Sequence, residues 1–218
     1  MSEEGKGYFE LMFGVLRRPG EYLGHVGEGD LVRGVLVALL MAALAGVSTS
    51  VYMSKIPLGV LVPQLGEVGV DVGDVGASMG LLSGVGAAVT ILLGWTLSTV
   101  VMHGMSNLAG GRGSLKRLFA MHGFASVPYA VNYALRTVDA YVSSSQALVA
   151  YYTASREVDP KILRAVLDTN MVTVFGAAGL FYATYALAEN YQIDRRRASL
   201  IALVPVLLYV FLNFLSPT

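Results

Sequence analysis

Two histidines that flank a short basic turn are the residues of this chain best suited to chemistry. His103 precedes Arg112 by nine residues, and His122 follows it by ten. If the turn joins two antiparallel helices, both imidazoles lie about two helical turns inside the same end. Ionisable groups inside a membrane domain are candidates for function, and a proton relay is one interpretation. Structural hydrogen bonding is the default interpretation.

A metal site at these histidines is the third interpretation, and it requires more ligands than the pair supplies. Zinc sites use three or four protein ligands, and His25, in the N-terminal connector, is the single further histidine. The chain has no cysteine. We therefore predict no metal and no cofactor.

Neutral polar side chains in or near the apolar segments form a second candidate group. Hydrogen bonds between such groups hold membrane helices together, at about 0.6–2 kcal/mol each. The alternative is a polar cavity for a substrate. The candidates are Asn107, Asn132 and Asn170.

Recognised catalytic motifs give no convincing enzyme. Residues 76–80 read GASMG and match the Gly-x-Ser-x-Gly pattern. That pattern carries a nucleophile only between a strand and a helix, whereas here a glycine-rich loop precedes an apolar run. We predict a protein without enzymatic activity.

The composition is that of an integral membrane protein. Hydrophobic residues make up 55% of the chain, charged residues only 14%, and the mean hydropathy is +0.61; soluble domains have roughly a quarter charged residues. The formal net charge is zero, and we predict no nucleic-acid partner.

The apolar runs predict an all-α fold with five transmembrane helices. Each run approaches or exceeds the ~20 residues that a bilayer requires, and Pro128 and Pro205 are expected to kink two of them. We predict a cytoplasmic segment over residues 1–30 and a single membrane domain over residues 31–218. The predicted spans cover about 31–53, 79–108, 115–138, 163–190 and 198–215.

The turn between the second and third spans predicts the topology. Its glycines permit a tight turn, and its serine is placed to cap the next helix. Cations gather in cytoplasmic loops, and ten Lys/Arg residues lie on the side of this turn against five on the other. The N-terminus is therefore predicted inside and the C-terminus outside. The turn comprises Gly110, Gly111, Arg112, Gly113 and Ser114.

An amphipathic helix is predicted before the first span. Its spacing suits a helix in the headgroup region, or one packed against the protein's own cytoplasmic face, and Pro19 ends it. Its residues include Tyr8, Phe9, Met12, Phe13, Arg17 and Arg18.

Small residues recur every fourth position in the first span. Such a stripe lets another helix approach closely, and it predicts helix packing, with a homo-oligomer as one form of it. The stripe comprises Gly34, Ala38, Ala42 and Gly46.

Several of these features together resemble the Yip-one domain family, the Ypt/Rab-interacting membrane proteins, in the form found in prokaryotes. They are an Arg18-Pro19 pair after an aromatic-rich helix, a span that ends in His103 and Leu108, the turn at residues 110–114, and the segment from Phe124 to Pro128. The resemblance implies a five-helix membrane domain with a cytoplasmic N-terminus. Eukaryotic relatives look like adaptors for small GTPases with longer N-terminal regions, so GTPase recruitment is not carried over to this chain.

We therefore expect a multi-pass protein of the prokaryotic plasma membrane that acts as a scaffold, an adaptor or an organiser of the bilayer. Its expected partners are lipid, a second copy and a cytoplasmic protein. The alternative function is a small homo-oligomeric transporter or channel with a polar, histidine-lined path.

Overall fold

The computed structural model describes residues 7–57, 60, 75–156 and 174–215, and within them every regular element is a helix. The all-α prediction is confirmed for this part of the chain. The helices are α1 (Tyr8–Arg17), α2 (Pro19–Gly24), α3 (Leu31–Ser54), α4 (Val75–Leu108), α5 (Leu115–Ala125), α6 (Val127–Val142), α7 (Ser145–Arg156), α8 (Val174–Tyr191) and α9 (Arg195–Leu215), with a 3-10 turn at Glu28–Asp30 before α3.

Helix α3 lies at the centre and packs along α4, α5 and α6. Its small-residue stripe makes these contacts. Gly34 lies against the backbone of α5 at Gly123, and Gly46 lies against α4, where a Cβ added to Gly84 would be 2.6 Å from the Gly46 carbonyl oxygen. Such a close approach leaves no room for a side chain. The prediction of helix packing through the stripe is confirmed within one chain.

The same packing contradicts the prediction that the small-residue stripe of α3 forms the contact between two copies of the chain. Gly34, Ala38, Ala42 and Gly46 are all buried against helices of their own chain. A second copy therefore cannot use these residues as its contact face.

Helix α4 turns its other side outward as a continuous apolar stripe. This stripe runs from Leu81 to Val100, about 29 Å along the helix axis, which matches the ~30 Å hydrocarbon layer of a bilayer. Its exposed residues are Leu81, Leu82, Val85, Val89, Leu93, Leu97 and Val100. Among the described residues, the helices over Glu28–Ser54 and Gly76–Leu108 are long and apolar enough to cross a membrane.

The predicted third span, 115–138, is not one helix. It breaks at Ser126 into α5 and α6, and α6 continues to Val142. Pro128 is the physical reason, because it has no N–H to donate to the carbonyl of Phe124 and its ring crowds that carbonyl. The predicted kink is thus seen as an interruption at Ser126, which keeps helical φ and ψ between the two helices.

At one end of the bundle, the turn after α4 meets the turn after α8. The Arg112 N–H donates to the Tyr191 carbonyl at 3.3 Å, and the Asn190 side-chain amide donates to the Ser114 carbonyl at 2.9 Å. At the other end, Lys55 Nζ donates to the Ser143 carbonyl at 3.0 Å. Two basic turns therefore share one end.

Helix α7 is separate from α6, since Ser143 is extended between them. Its Leu148 carbonyl accepts from the Tyr52 hydroxyl at 3.4 Å, which holds α7 at the end of Lys55. Most of the predicted outer loop before α4 and the first part of the predicted fourth span lie outside the described residues.

Candidate functional site

A cavity of about 360 Å³ lies between α4, α5, α6, α8 and α9. Along α4 its wall runs from Thr90 to Met102, about 18 Å, so the cavity is long and narrow. Most of the wall is apolar or aromatic, including Ile91, Leu180 and Val206. The polar wall residues near the α5–α6 break are Ser98, His122 and Ser126.

Helix α5 carries His122 about 10 Å from its N-terminal end. The Thr99 hydroxyl donates to the Trp95 carbonyl at 2.7 Å, as a threonine in a helix commonly does. The same oxygen lies 2.7 Å from His122 Nδ1. The hydroxyl has one proton, and when it is given to Trp95 the Nδ1 of His122 is the donor and Nε2 is an acceptor. No described residue provides a partner for this Nε2.

The two serines at the same wall also present acceptor oxygens. Ser98 donates its proton to the Gly94 carbonyl at 2.6 Å, and Ser126 donates to the His122 carbonyl at 2.8 Å. Their hydroxyl oxygens keep lone pairs but have no proton left to give. This end of the cavity is therefore suited to a group that donates hydrogen bonds.

Trp95 forms the side of the site next to His122. Its indole stacks on the imidazole, with ring centroids 5.9 Å apart and an angle of 23° between the rings. The indole N–H is buried and has no acceptor among the described residues. Trp95 is the single tryptophan of the chain.

His103 belongs to a different network. Its Nδ1 is hydrogen-bonded to the Tyr191 hydroxyl, and its Nε2 lies 3.1 Å from the Asn107 side-chain amide. His103 does not line the cavity around His122. The two histidines predicted as one site are held apart by separate partners.

The described part of the chain contains no group of three or more His, Cys, Asp or Glu side chains placed for a metal ion. His25, the third histidine, is exposed, and its Nδ1 lies 2.7 Å from the Glu21 carbonyl of its own helix.

The three candidate asparagines are not gathered in one place. Asn107 bonds His103, whereas Asn132 is buried with no partner for its amide nitrogen among the described residues. Asn170 lies outside the described residues. The sequence analysis missed Asn190, which joins the two basic turns through Ser114; its position at a helix end gave no signal of this contact.

The predicted basic turn forms as expected. Gly110 has φ +84°, a value that favours glycine, and the Ser114 hydroxyl accepts the Arg117 backbone N–H at 3.4 Å as the helix cap. Arg112 is exposed. Arg117 was counted only as a topology signal, but its guanidinium donates to the carbonyls of Val26 at 2.9 Å and Gly24 at 3.1 Å.

Helix α1 packs against this end of the bundle. Leu11 and Val15 are buried in a core shared with α5 and α8, and the Tyr182 hydroxyl donates to the Leu16 carbonyl at 2.9 Å. Tyr8 and Met12 flank this core and are partly buried. Of the two alternatives for the amphipathic helix, packing on the protein's own face is the one observed.

The apolar residues of α1 nevertheless divide into two faces. Phe9 is 69% exposed and Phe13 is 59% exposed, on the side of the helix that also carries Arg17. Arg18 follows at the end, within 3.4 Å of Glu21. The docked helix therefore keeps an aromatic and cationic outer face.

The Yip1 domain is the family whose sequence model matches this chain, over residues 13–216. The match begins inside α1 and ends just after α9, so it includes the cavity, both basic turns and the second half of the docked helix. Searches of curated proteins and of solved structures gave no match. The match covers nearly the whole chain, which therefore belongs to the Yip1 domain family and is a membrane protein.

Proposed function

We propose that this protein is a nonenzymatic, multi-pass membrane scaffold that organises the bilayer surface through the outer face of α1. The observation that carries the proposal is the pair of exposed phenylalanines on a helix that is otherwise fixed to the bundle. An aromatic face beside arginines suits the headgroup region of an anionic membrane. Because α1 is packed on the bundle, its outer face would stay at a constant depth in the headgroup region.

Five spans in a single membrane domain over residues 31–218 are part of the proposal. The spans would be α3, α4, the broken pair α5–α6, the helix that ends at Tyr191, and α9. The gathering of both basic turns and of α1 at one end supports a cytoplasmic location for that end. A prokaryotic plasma membrane is proposed from the family resemblance.

The transporter alternative has weaker support. A histidine-lined path would need both imidazoles on one wall, whereas in the described residues only His122 lines the cavity and His103 is bonded to Tyr191. The scaffold is therefore the function that we retain.

The test uses the absence of cysteine from the chain. A nitroxide label on Phe13→Cys, in proteoliposomes that contain anionic lipid, should collide with dissolved oxygen more often than with a water-soluble nickel complex. Glu28→Cys, at an exposed site in the connector, is the matched control and should prefer the nickel complex.

The same label separates a bilayer organiser from an adaptor. Protection of Phe13→Cys in pure lipid supports contact with the bilayer. Protection only in native membranes supports a protein partner on this face. Full access of the nickel complex in both membranes would refute the scaffold face.

A further inference from the structure

We propose that the cavity beside His122 binds a single-chain membrane lipid whose head group donates a hydrogen bond, such as a hydroxyl-headed lipid. This site is independent of the scaffold face on α1, because no residue of α1 lines the cavity. Three properties of the cavity carry the proposal: the chemistry of its polar end, its shape and the position of its opening.

The polar end of the cavity, next to His122, favours a ligand that donates a hydrogen bond. His122 Nε2 is left as an acceptor by the bond of Nδ1 to Thr99, and the Ser98 and Ser126 protons are already given to backbone carbonyls. A ligand that only accepts hydrogen bonds finds no proton at these three groups, and only the unpaired indole N–H of Trp95 beside them. A hydroxyl on the ligand can donate to His122 Nε2 and satisfy it.

The shape of the cavity favours a lipid with a single alkyl chain. Ligand sites commonly enclose about 300–1,000 Å³, and this cavity of about 360 Å³ lies at the lower end. Because its wall follows α4 for about 18 Å, the space is a slot with room for one alkyl chain. The apolar and aromatic lining away from His122, which includes Ile91, Val206 and Tyr209, suits such a chain.

The opening selects a ligand from the bilayer. Gly94 lines the cavity and is exposed, and no atom lies within 4 Å of where its Cβ would be. Its neighbours Leu93 and Leu97 belong to the exposed apolar stripe of α4. A lipid can therefore enter sideways from the hydrocarbon layer, with its head toward His122.

The single tryptophan provides the measurement, because Trp95 lines the cavity and stacks on His122. Its fluorescence would be titrated in nanodiscs of saturated phosphatidylcholine with three brominated probes of equal chain length: an alcohol, its methyl ether and the plain alkane. The alcohol should quench Trp95 saturably, at a concentration about fivefold lower than the ether, as expected for one net hydrogen bond. The alkane should show no preference over the ether.

Two variants test the two parts of the site. His122→Phe removes the acceptor and should abolish the difference between alcohol and ether. Gly94→Leu places a large side chain at the opening of the slot and should abolish saturation. Gly86→Leu is the matched control on the same helix, since its Cβ also meets no atom within 4 Å and it does not line the cavity; it should behave as the wild type.

Two results would overturn the proposal. Equal quenching of the wild type by alcohol and ether would refute selection of a donor by His122. Saturation that persists unchanged in Gly94→Leu would show that the probe binds elsewhere.

Discussion

Arg117 illustrates at the scale of one residue how a basic turn can fix a neighbouring segment. Its guanidinium donates to the carbonyls of Val26 and Gly24, which belong to the connector between α1 and α3. Gly24 is the last residue of α2 and Val26 follows the helix, so their carbonyls have no later helix N–H to accept from. One side chain therefore ties the docked N-terminal segment to the turn before α5.

Arg117→Met keeps the aliphatic stem and removes both donors. We expect the docked state of the connector to lose about 1–2 kcal/mol, which raises its open population roughly five- to thirtyfold. Limited digestion with trypsin measures this as faster cleavage after Arg17. Lys116→Met is the control, since Lys116 is exposed and no described residue binds it; equal cleavage rates in both variants would contradict the role given to Arg117.

At the scale of elements, the contact between α3 and α5 depends on an absence of side chains. Gly34 and Gly123 bring the two backbones together, so a Cβ on either would overlap the main chain of the other helix. Main chain cannot rotate away as a flexible side chain can. Any larger residue must push the helices apart along their whole contact.

Gly123→Ala should therefore destabilise the bundle by about 1–3 kcal/mol, the usual cost of overpacking. A lower midpoint of thermal unfolding in detergent would record this loss. Gly104→Ala on α4, where no atom lies within 4 Å of the added Cβ, should not lower the midpoint, because alanine favours a helix more than glycine does. If Gly123→Ala unfolded at the temperature of the control, the close approach of α3 and α5 would not stabilise the protein.

At the scale of the whole molecule, the described helix ends fall into two groups at opposite ends of the bundle. The turns after α4 and α8 lie together with the N-terminal segment, and α7 lies at the end of Lys55. Positive charge is concentrated at the first of these ends. Retention of cationic loops in the cytoplasm would then orient all spans.

Single cysteines in the cysteine-free chain test this orientation. An impermeant maleimide applied to intact cells should label Gln146→Cys and Thr218→Cys, and should label Lys116→Cys and Arg196→Cys only after permeabilisation. Labelling after denaturation controls for expression. If Thr218→Cys instead reacted together with Lys116→Cys, the number of spans would be even and the five-span proposal would be wrong.

Periodic features of the chain were predictable from the sequence, whereas contacts between distant residues were not. The helices α3, α4 and α9 begin and end close to the predicted spans because length and hydropathy determine them. Predicting the break at Ser126 required more than the presence of Pro128, because a proline indicates a kink but not its size.

The depth of His122 was predicted, but its Thr99 partner was not, since that contact depends on the relative rotation of α4 and α5. The exposure of Phe9 was likewise not predictable, because helical spacing does not show which of the two apolar sides of α1 packs on the bundle.

The bond between Tyr182 and Leu16 also has a consequence for the order of biosynthesis. The two residues are 166 positions apart, so α1 leaves the ribosome long before the helix that completes its binding surface. At translation rates of about 5–20 residues per second, the delay is on the order of 10–30 s. Until α8 is made, α1 lacks the part of its docking surface that Tyr182 supplies, so the complete docking of α1 follows the synthesis of α8.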